Sequence, residues 1–328
     1  MKFFQTSRSK SSRNYPHNMT KTSAHTAATR SSGAASRRKK RDAAIYYVMG
    51  FPAALLFSAF YFVPFIANLR YSLTRWDRIT EPQFVGLKNF VNLLTNDDLF
   101  LKVLGNNLRF TFLVVIFQTA FSLLFAILLV RNTRVNIGLR TLYFFPTILS
   151  SVSVGMIWLY IYDPNYGALN LFFNKVGLEN FSLNWLGSET SALYAIAFVQ
   201  VWFHTGQMMV IYIAGLQQIP QELYEAAEMD GASRWQQFKS VTWPMSIPTT
   251  IVVMAYTTIQ SFRAFDLIFS MTQGGPNNAS SIFAVMIYQT VFNELRIGYA
   301  AAQSIFFVLV LVLITVVQRR VLGSGRDK

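Results

Sequence analysis

Cysteine is absent from the 328-residue sequence, and the chain contains only 3 His and 15 Asp and Glu. The lack of Cys excludes disulfide frameworks, thiolate metal sites and a cysteine nucleophile. Few groups remain for a metal centre or for acid–base catalysis. Charged residues make up 13% of the chain, whereas soluble domains carry roughly 25%. The composition therefore does not fit a soluble enzyme or a metalloprotein.

Apolar and aromatic residues are abundant instead. Hydrophobic residues account for 52% of the sequence, and its 30 Phe, 15 Tyr and 6 Trp suit lipid and its interfaces. The formal net charge of +14 is uneven, because residues 1–42 contain 11 of the 29 Lys and Arg and a single acid. We predict a disordered basic cytoplasmic tail at 1–42, with the cluster at 37–41 near anionic membrane lipid. Nucleic-acid binding is the less favoured interpretation, and we expect no nucleic-acid partner.

Six runs of the sequence are long and apolar enough to cross about 30 Å of hydrocarbon at about 1.5 Å per residue. They lie near 43–66, 107–130, 140–162, 191–215, 246–267 and 299–318. With the amino terminus inside, 14 flanking Lys and Arg lie on the inner side and 7 on the outer side, as the positive-inside rule favours. The prediction is an all-α, polytopic membrane helix bundle with six transmembrane helices and both termini in the cytoplasm.

The inner loop at 216–245 contains local signals for two short helices. Pro220 suits a first helical position, and Glu222 and Glu225 follow where the helix dipole favours acids. Gly231 is suited to the left-handed residue that ends this helix. The spacing therefore predicts a first short helix between Pro220 and Gly231.

A second helix is indicated immediately afterwards. Ser233 and Gln236 have the S-x-x-Q spacing of a capping box, and we expect Pro244 to end the helix. Ala226 and Ala227 give the first helix a flat surface against which a partner can pack closely. Local propensities leave an alternative open, which is an ordinary amphipathic connector.

The same loop resembles the EAA loop of permease subunits in binding-protein-dependent ABC importers. Residues 225–231 read Glu-Ala-Ala-Glu-Met-Asp-Gly and match the family pattern E-A-A-x-x-x-G. Val241 and Trp243 stand where the family has Ile and Leu before its Pro, which is Pro244 here. These two replacements keep the apolar character of the pattern.

Three further stretches resemble the carbohydrate-uptake branch of this family, and the likeness covers roughly 45–320. They are F-D-L-I at 265–268, M-T-Q-G-G-P at 271–276 and R-I-G-Y-A-A at 296–301. The resemblance implies the type I ABC importer permease fold. It also implies a division of the chain into a first transmembrane helix and outer loop at 43–106, a permease core at 107–318 and a cytoplasmic tail at 319–328.

The resemblance implies a permease subunit that is not itself an enzyme. Such a subunit pairs with a second homologous permease, docks a cytoplasmic ABC ATPase dimer and receives a sugar from an extracytoplasmic solute-binding protein. The sequence contains no G-x-x-x-x-G-K-[ST] motif, so the ATPase must be a separate chain, and we expect no cofactor. The residues implied in coupling to the ATPase are Glu225, Ala226, Ala227, Asp230, Gly231 and Ala232.

Polar side chains in the fourth and fifth spans are candidates for the solute pathway. Gln200, His204 and Gln207 are spaced i, i+4, i+7 and share one helical face, and Thr257 and Gln260 lie in the next span. Polar groups in hydrocarbon tend to face the bundle interior or a water-filled path. Because amides and imidazoles hydrogen-bond sugar hydroxyls, we predict that these five residues contact the solute. The alternative is hydrogen bonding between helices.

Other functions fit the sequence less well. The same architecture also suits a non-sugar solute such as a glycerol phosphate or a polyamine. A secondary transporter driven by an ion gradient is disfavoured, because the spans contain no series of carboxylates and no obvious inverted repeat. An intramembrane enzyme would depend on His204 alone. Arg263 and Asp266, spaced i, i+3, are expected to neutralise one another.

Overall fold

The computed structural model describes residues 46–323. The expectations for the tail at 1–42, for its cluster at 37–41 and for residues 324–328 concern parts of the chain outside this range. Besides two short 3-10 helices (Phe145–Ile148 and Glu179–Phe181), the described residues form twelve longer helices and one two-stranded antiparallel hairpin. In chain order these elements are α1 (Tyr46–Ser72), β1 (Thr74–Arg75), β2 (Gln83–Phe84), α2 (Lys88–Thr95), α3 (Asp98–Leu129), α4 (Arg134–Phe144), α5 (Ser151–Ile161), α6 (Ala168–Lys175), α7 (Ala192–Leu216), α8 (Gln221–Met229), α9 (Arg234–Phe262), α10 (Phe265–Thr272), α11 (Phe283–Phe292) and α12 (Ile297–Gly323).

The described residues divide into two units, one that ends at Ile66 and one that starts at Ala67. In the first unit, residues 46–66 belong to α1, and all of these side chains are exposed. Most of them are apolar, as a helix surrounded by lipid requires. A π-helical turn, Ser58–Phe62, widens α1 in this region.

Four helices, α1, α3, α7 and α12, are each long and apolar enough to cross a membrane. Two further spans are bent pairs, α4 with α5 and α9 with α10, so the described residues contain up to six spans. The prediction of an all-α membrane helix bundle is confirmed. The helix α3 begins at Asp98, so the predicted division between 43–106 and 107–318 falls inside it, and α12 continues to Gly323.

The third predicted span, 140–162, is not a straight helix, because α4 and α5 meet at an angle of 98°. Pro146 lies in a 3-10 turn, Phe145–Ile148, and Leu149 and Ser150 that follow have extended backbone conformations. Proline cannot donate to the helical ladder, and extended residues interrupt it. The predicted third span is therefore present as two helices with a sharp bend between them.

The fifth span, predicted at 246–267, starts earlier and ends in a break. Its helix α9 starts at Arg234 and stops at Phe262, and α10 follows after a bend of 42°. Arg263 and Ala264 occupy the break, and neither has helical backbone angles. The break places the end of α9 and the start of α10 beside one cleft.

Buried side chains form three clusters within the second unit. The first joins α3, α5, α7 and α10 around Ile196, the second joins α3, α7 and α9 around Tyr212, and the third joins α3, α11 and α12 around Phe283. The helix α7 also approaches α4 closely, since a side chain at Gly206 would overlap the carbonyl oxygen of Tyr143. Small residues at such crossings are typical of packed membrane helices.

Candidate functional site

The 216–245 segment folds into α8 and the first turns of α9. Pro220 caps α8 from the position before the helix, one residue earlier than predicted, and Glu222 lies in the first turn. Ile219, immediately before, is buried in the cluster around Tyr212. This contact anchors the start of α8 to the helix bundle.

Gly231 ends α8 in the left-handed conformation that the sequence predicts, with a φ of 76°. The Ala232 N–H donates to the Ala227 carbonyl at 2.9 Å, and the Gly231 N–H donates to the Glu228 carbonyl at 3.0 Å. These bonds form a Schellman motif, which satisfies carbonyls at the helix end. Open space surrounds Gly231 within this chain, so backbone strain is what opposes a side chain there.

Ser233 and Gln236 form the predicted capping box at the start of α9. The Gln236 N–H donates to Ser233 Oγ at 3.4 Å, and the Ser233 N–H donates to Gln236 Oε1 at 2.7 Å. Gln237 Nε2 also donates to the Ala232 carbonyl at 3.3 Å. The bonds hold the turn after Gly231 against the first turn of α9, so α8 and α9 form a bent pair.

The prediction that Pro244 ends the second helix is wrong. The helix α9 passes through Pro244 because the turn before it, Phe238–Thr242, is π-helical. The Trp243 N–H donates to the Phe238 carbonyl, five residues earlier. The wider turn accommodates a residue that has no N–H to donate. The second helix of the segment is therefore the start of a continuous membrane-spanning helix.

The surface of the 216–245 segment combines acidic groups with large apolar side chains. Met229 is 89% exposed and Trp235 is 69% exposed. Glu225 forms no ion pair with any residue that the structure describes. The exposed members of the predicted coupling set are Glu225, Ala226, Asp230 and Gly231, and the half-buried ones are Ala227 and Ala232. Exposed apolar groups clustered at a polar rim are typical of a protein-binding surface.

Three of the predicted pathway residues line one cleft of about 320 Å³. Gln200 and His204 reach it from α7, and Gln260 reaches it from α9. Tyr256 on α9 and Ser151 at the start of α5 add hydroxyl groups to its wall. We call this space the pathway cleft.

The polar groups of the pathway cleft are linked by hydrogen bonds between α7 and α9. Gln260 Nε2 and His204 Nδ1 are 3.0 Å apart. Gln207 Nε2 donates to the Tyr256 hydroxyl at 3.2 Å, so Gln207 contacts the cleft through Tyr256. Gln260 Oε1 is buried and has no hydrogen-bond partner among the described residues. That oxygen can therefore accept a hydrogen bond from a bound solute.

Thr257 lies outside the pathway cleft, although it was predicted to contact the solute together with Gln260. It is fully buried, and its hydroxyl accepts a hydrogen bond from Gln118 Nε2 at 3.3 Å. The helix α9 packs against both α3 and α7. Thr257 contacts α3, whereas Gln260 contacts α7. The alternative of hydrogen bonding between helices therefore describes Thr257.

Arg263 and Asp266 also line the pathway cleft, at the break between α9 and α10. The expected ion pair between them is absent from the described structure. Ala264 lies between them outside the α-helical region, so their i, i+3 spacing does not place them on one helical face. Both side chains are exposed, and the cleft thus offers one cation and one anion at its edge.

Sequence reasoning missed Tyr256 and Ser151. Tyr256 lies one helical turn before Gln260, and that spacing is a signal that could have identified it. No local signal indicates Ser151, because the bend between α4 and α5 brings it to the cleft wall.

Comparison with known proteins defines the class. Residues 110–325 match the family described as binding-protein-dependent transport system inner membrane component. The chain belongs to this family and is a permease of the carbohydrate-uptake type of ABC importer, located in a membrane that it crosses several times. The resemblance stated from the EAA pattern is thereby confirmed.

Individual relatives carry names of sugar transport systems. The chain is 32% identical to the trehalose/maltose transport system permease protein MalF of Thermococcus litoralis, over 89% of this chain and 98% of that one. It is 31% identical to the diacetylchitobiose uptake system permease protein NgcF of Streptomyces coelicolor, over 90% and 89%. A solved bacterial ABC transporter that imports the acidic polysaccharide alginate has the same fold, with a TM-score of 0.76 at 22% identity over 89% and 99%.

Proposed function

We propose that this chain pairs with a second permease to form the membrane pathway of an ATP-driven importer for a sugar or oligosaccharide. An extracytoplasmic binding protein delivers the solute, and a separate ATPase dimer docks on the 216–245 segment. The family and the sugar-related names of its relatives support this proposal. So does the solved alginate transporter in complex with a periplasmic protein that holds an alginate pentasaccharide.

The observation that carries the proposal is the continuity of α9. Arg234, its first residue, follows the exposed turn at Gly231, and Gln260 near its other end lines the pathway cleft. At about 1.5 Å per residue the helix is about 40 Å long, more than the roughly 30 Å of hydrocarbon. A displacement of the 216–245 segment can therefore be transmitted along one continuous helix to Gln260.

The pathway cleft offers the groups that a sugar needs. Sugar hydroxyls both donate and accept hydrogen bonds, and the amides of Gln200 and Gln260 and the hydroxyl of Tyr256 do the same. The contact between Gln260 and His204 joins α9 to α7 at 3.0 Å. Movement of α9 relative to α7 breaks this contact and frees both side chains to bind solute. The ATP-driven movement thus changes the affinity of the cleft.

The coupling role is tested with Gly231→Tyr and Glu225→Arg, in vesicles that contain the complete transporter. Both variants should lose most solute uptake and solute-stimulated ATP hydrolysis, or lose the ATPase during purification. Gly177→Tyr is a matched control, because Gly177 ends α6 in the same motif with a φ of 74° and open space around it. The control carries equal backbone strain on a different loop and should keep coupled transport.

Full coupled transport in both Gly231→Tyr and Glu225→Arg would show that the 216–245 segment is not the coupling element. Equal loss in Gly177→Tyr would show that strain at any helix end, rather than a docking surface, explains the defect.

The proposed orientation places both termini and the 216–245 segment in the cytoplasm. Single cysteines at Met229 and Tyr166 test it, since these side chains are 89% and 85% exposed and no native Cys competes. An impermeant thiol reagent should label Tyr166→Cys in intact cells and Met229→Cys only after lysis. Labelling of Met229→Cys from outside would show that the topology is the reverse of the one proposed.

A further inference from the structure

A second polar cleft, of about 370 Å³, lies where α2, α3, α11 and α12 come together. Its volume is within the range of about 300–1,000 Å³ that small-molecule sites occupy. It has no lining residue in common with the pathway cleft. Its polar lining includes Asn92, Asn96, Asp97, Thr290, Arg296 and Gln303. We call it the Gln303 cleft.

Gln303 is the most buried amide side chain in the lining of this cleft. The residue is 2% exposed, and its Oε1 atom is buried without a hydrogen-bond partner among the described residues. It lies about 9 Å along α12 from Ile297, at about 1.5 Å per residue. Native structures contain few buried polar atoms without a partner, and each one needs an explanation. A hydroxyl of a ligand in the cleft would supply the missing donor.

The charged groups of the Gln303 cleft are already engaged with the protein. Asp97 accepts hydrogen bonds from the Phe100 N–H at 2.9 Å and from the Tyr299 hydroxyl at 2.6 Å. Arg296 lies 3.3 Å from a Glu294 oxygen and 4.2 Å above the centre of the Tyr299 ring. Two carboxylates and one guanidinium disfavour an anionic ligand. The neutral groups are three amides and a hydroxyl, and among the amides Asn96 Nδ2 donates to Asn92 Oδ1 at 3.4 Å.

We propose that the Gln303 cleft binds a neutral polyhydroxylated ligand, a mono- or disaccharide, at a site separate from the pathway cleft. The amides of Asn92, Asn96 and Gln303 and the hydroxyl of Thr290 can donate and accept, as sugar hydroxyls do. The choice of a sugar among neutral polyols rests on the proposed function. A bound sugar connects α11 and α12 to the junction of α2 and α3 and stabilises that arrangement.

The test uses the full-length chain, purified with the partners that it retains and reconstituted in lipid nanodiscs. Equilibrium binding of radiolabelled maltose, trehalose and glucose is measured in a Gln200→Leu/Gln260→Leu background, in which the pathway cleft has lost both amides. We expect residual binding, and adding Gln303→Leu should weaken its affinity at least tenfold. Ser304→Ala is the matched control on α12, because the Ser304 hydroxyl donates to the Ala300 carbonyl; it should leave binding unchanged.

Gln303→Leu removes an unpaired amide without a large change in volume, so thermal stability should not fall. Asn96→Ala, at an exposed position, is a second variant that should also weaken the residual binding. Binding that neither change weakens would overturn the site, as would a preference for glucuronate over glucose. Complete loss of binding in the background variant would show that the Gln303 cleft binds no sugar and that all of the binding takes place in the pathway cleft. Residual binding without sugar uptake by the wild type would contradict the proposed function alone.

Discussion

The 216–245 segment takes its shape from residues close together in the chain, whereas the pathway cleft joins residues far apart. The bonds that end α8 and begin α9 connect residues no more than five positions apart. In the cleft, His204 and Gln260 are 56 positions apart and Gln207 and Tyr256 are 49 apart. The segment therefore depends on local backbone chemistry and the cleft depends on helix packing.

This difference has consequences for sensitivity to substitution. The segment is mostly exposed, so changes there act on its local geometry and on its contact with a partner. The cleft exists only while α5, α7, α9 and α10 keep their mutual positions. Close packing at one crossing, such as that of Gly206 with Tyr143, therefore affects every residue of the cleft wall.

The largest effect is expected from Gly206→Ala, a substitution that lies outside both the 216–245 segment and the lining of the pathway cleft. Gly206→Ala places a methyl group against the carbonyl oxygen of Tyr143, and backbone atoms cannot rotate away. Overpacking of this kind costs about 1–3 kcal/mol. We expect a lower melting temperature of the purified complex and loss of solute binding by the pathway cleft. Gly105→Ala, in α3 with open space around it, is the control and should keep wild-type stability; equal loss there would contradict the packing argument.

An intermediate effect is expected inside the pathway cleft. Leucine at Gln200 or His204 should reduce uptake about tenfold, since a hydrogen bond to a solute in a desolvated site contributes about 1.4 kcal/mol or more. Leucine at Gln207 should reduce uptake less, because Gln207 reaches the cleft only through its hydrogen bond to Tyr256. ATPase co-purification should be unchanged. Thr257→Val sharpens the comparison, because it removes the partner of Gln118 and should lower thermal stability without changing the KM for solute. Normal uptake in all three leucine variants would leave only a structural role for these groups.

The smallest effect is expected from the capping box. Ser233→Ala removes one of its two hydrogen bonds, and loss of such a cap costs about 1 kcal/mol. Amide exchange of Gln236 and Gln237 should accelerate about fivefold. Uptake should fall only slightly, because the remaining contacts still hold α8 against α9. A loss as large as that of Gly231→Tyr would show that the segment is less locally determined than its hydrogen bonds indicate.

Local signals in the sequence predicted much of the 216–245 segment correctly. The left-handed conformation at Gly231 and the bonds between Ser233 and Gln236 depend on residue types and spacing alone. Pro244 is the exception, since the sequence indicates a helix end there. The π-helical turn Phe238–Thr242 allows the helix to continue through Pro244, and the position of this turn cannot be read from the sequence.

That the chain crosses a membrane follows from its amino-acid order, because the length and hydropathy of a run are sums over neighbouring residues. The carboxyl end of α8 and the start of α9 follow from it too, since caps act within one helical turn. Three features depend instead on how the helices pack: the 98° bend between α4 and α5, the contact of Thr257 with Gln118, and the contact of Gln260 with His204. Helical periodicity states which residues share a face, but which helix covers that face depends on the packing of the whole bundle.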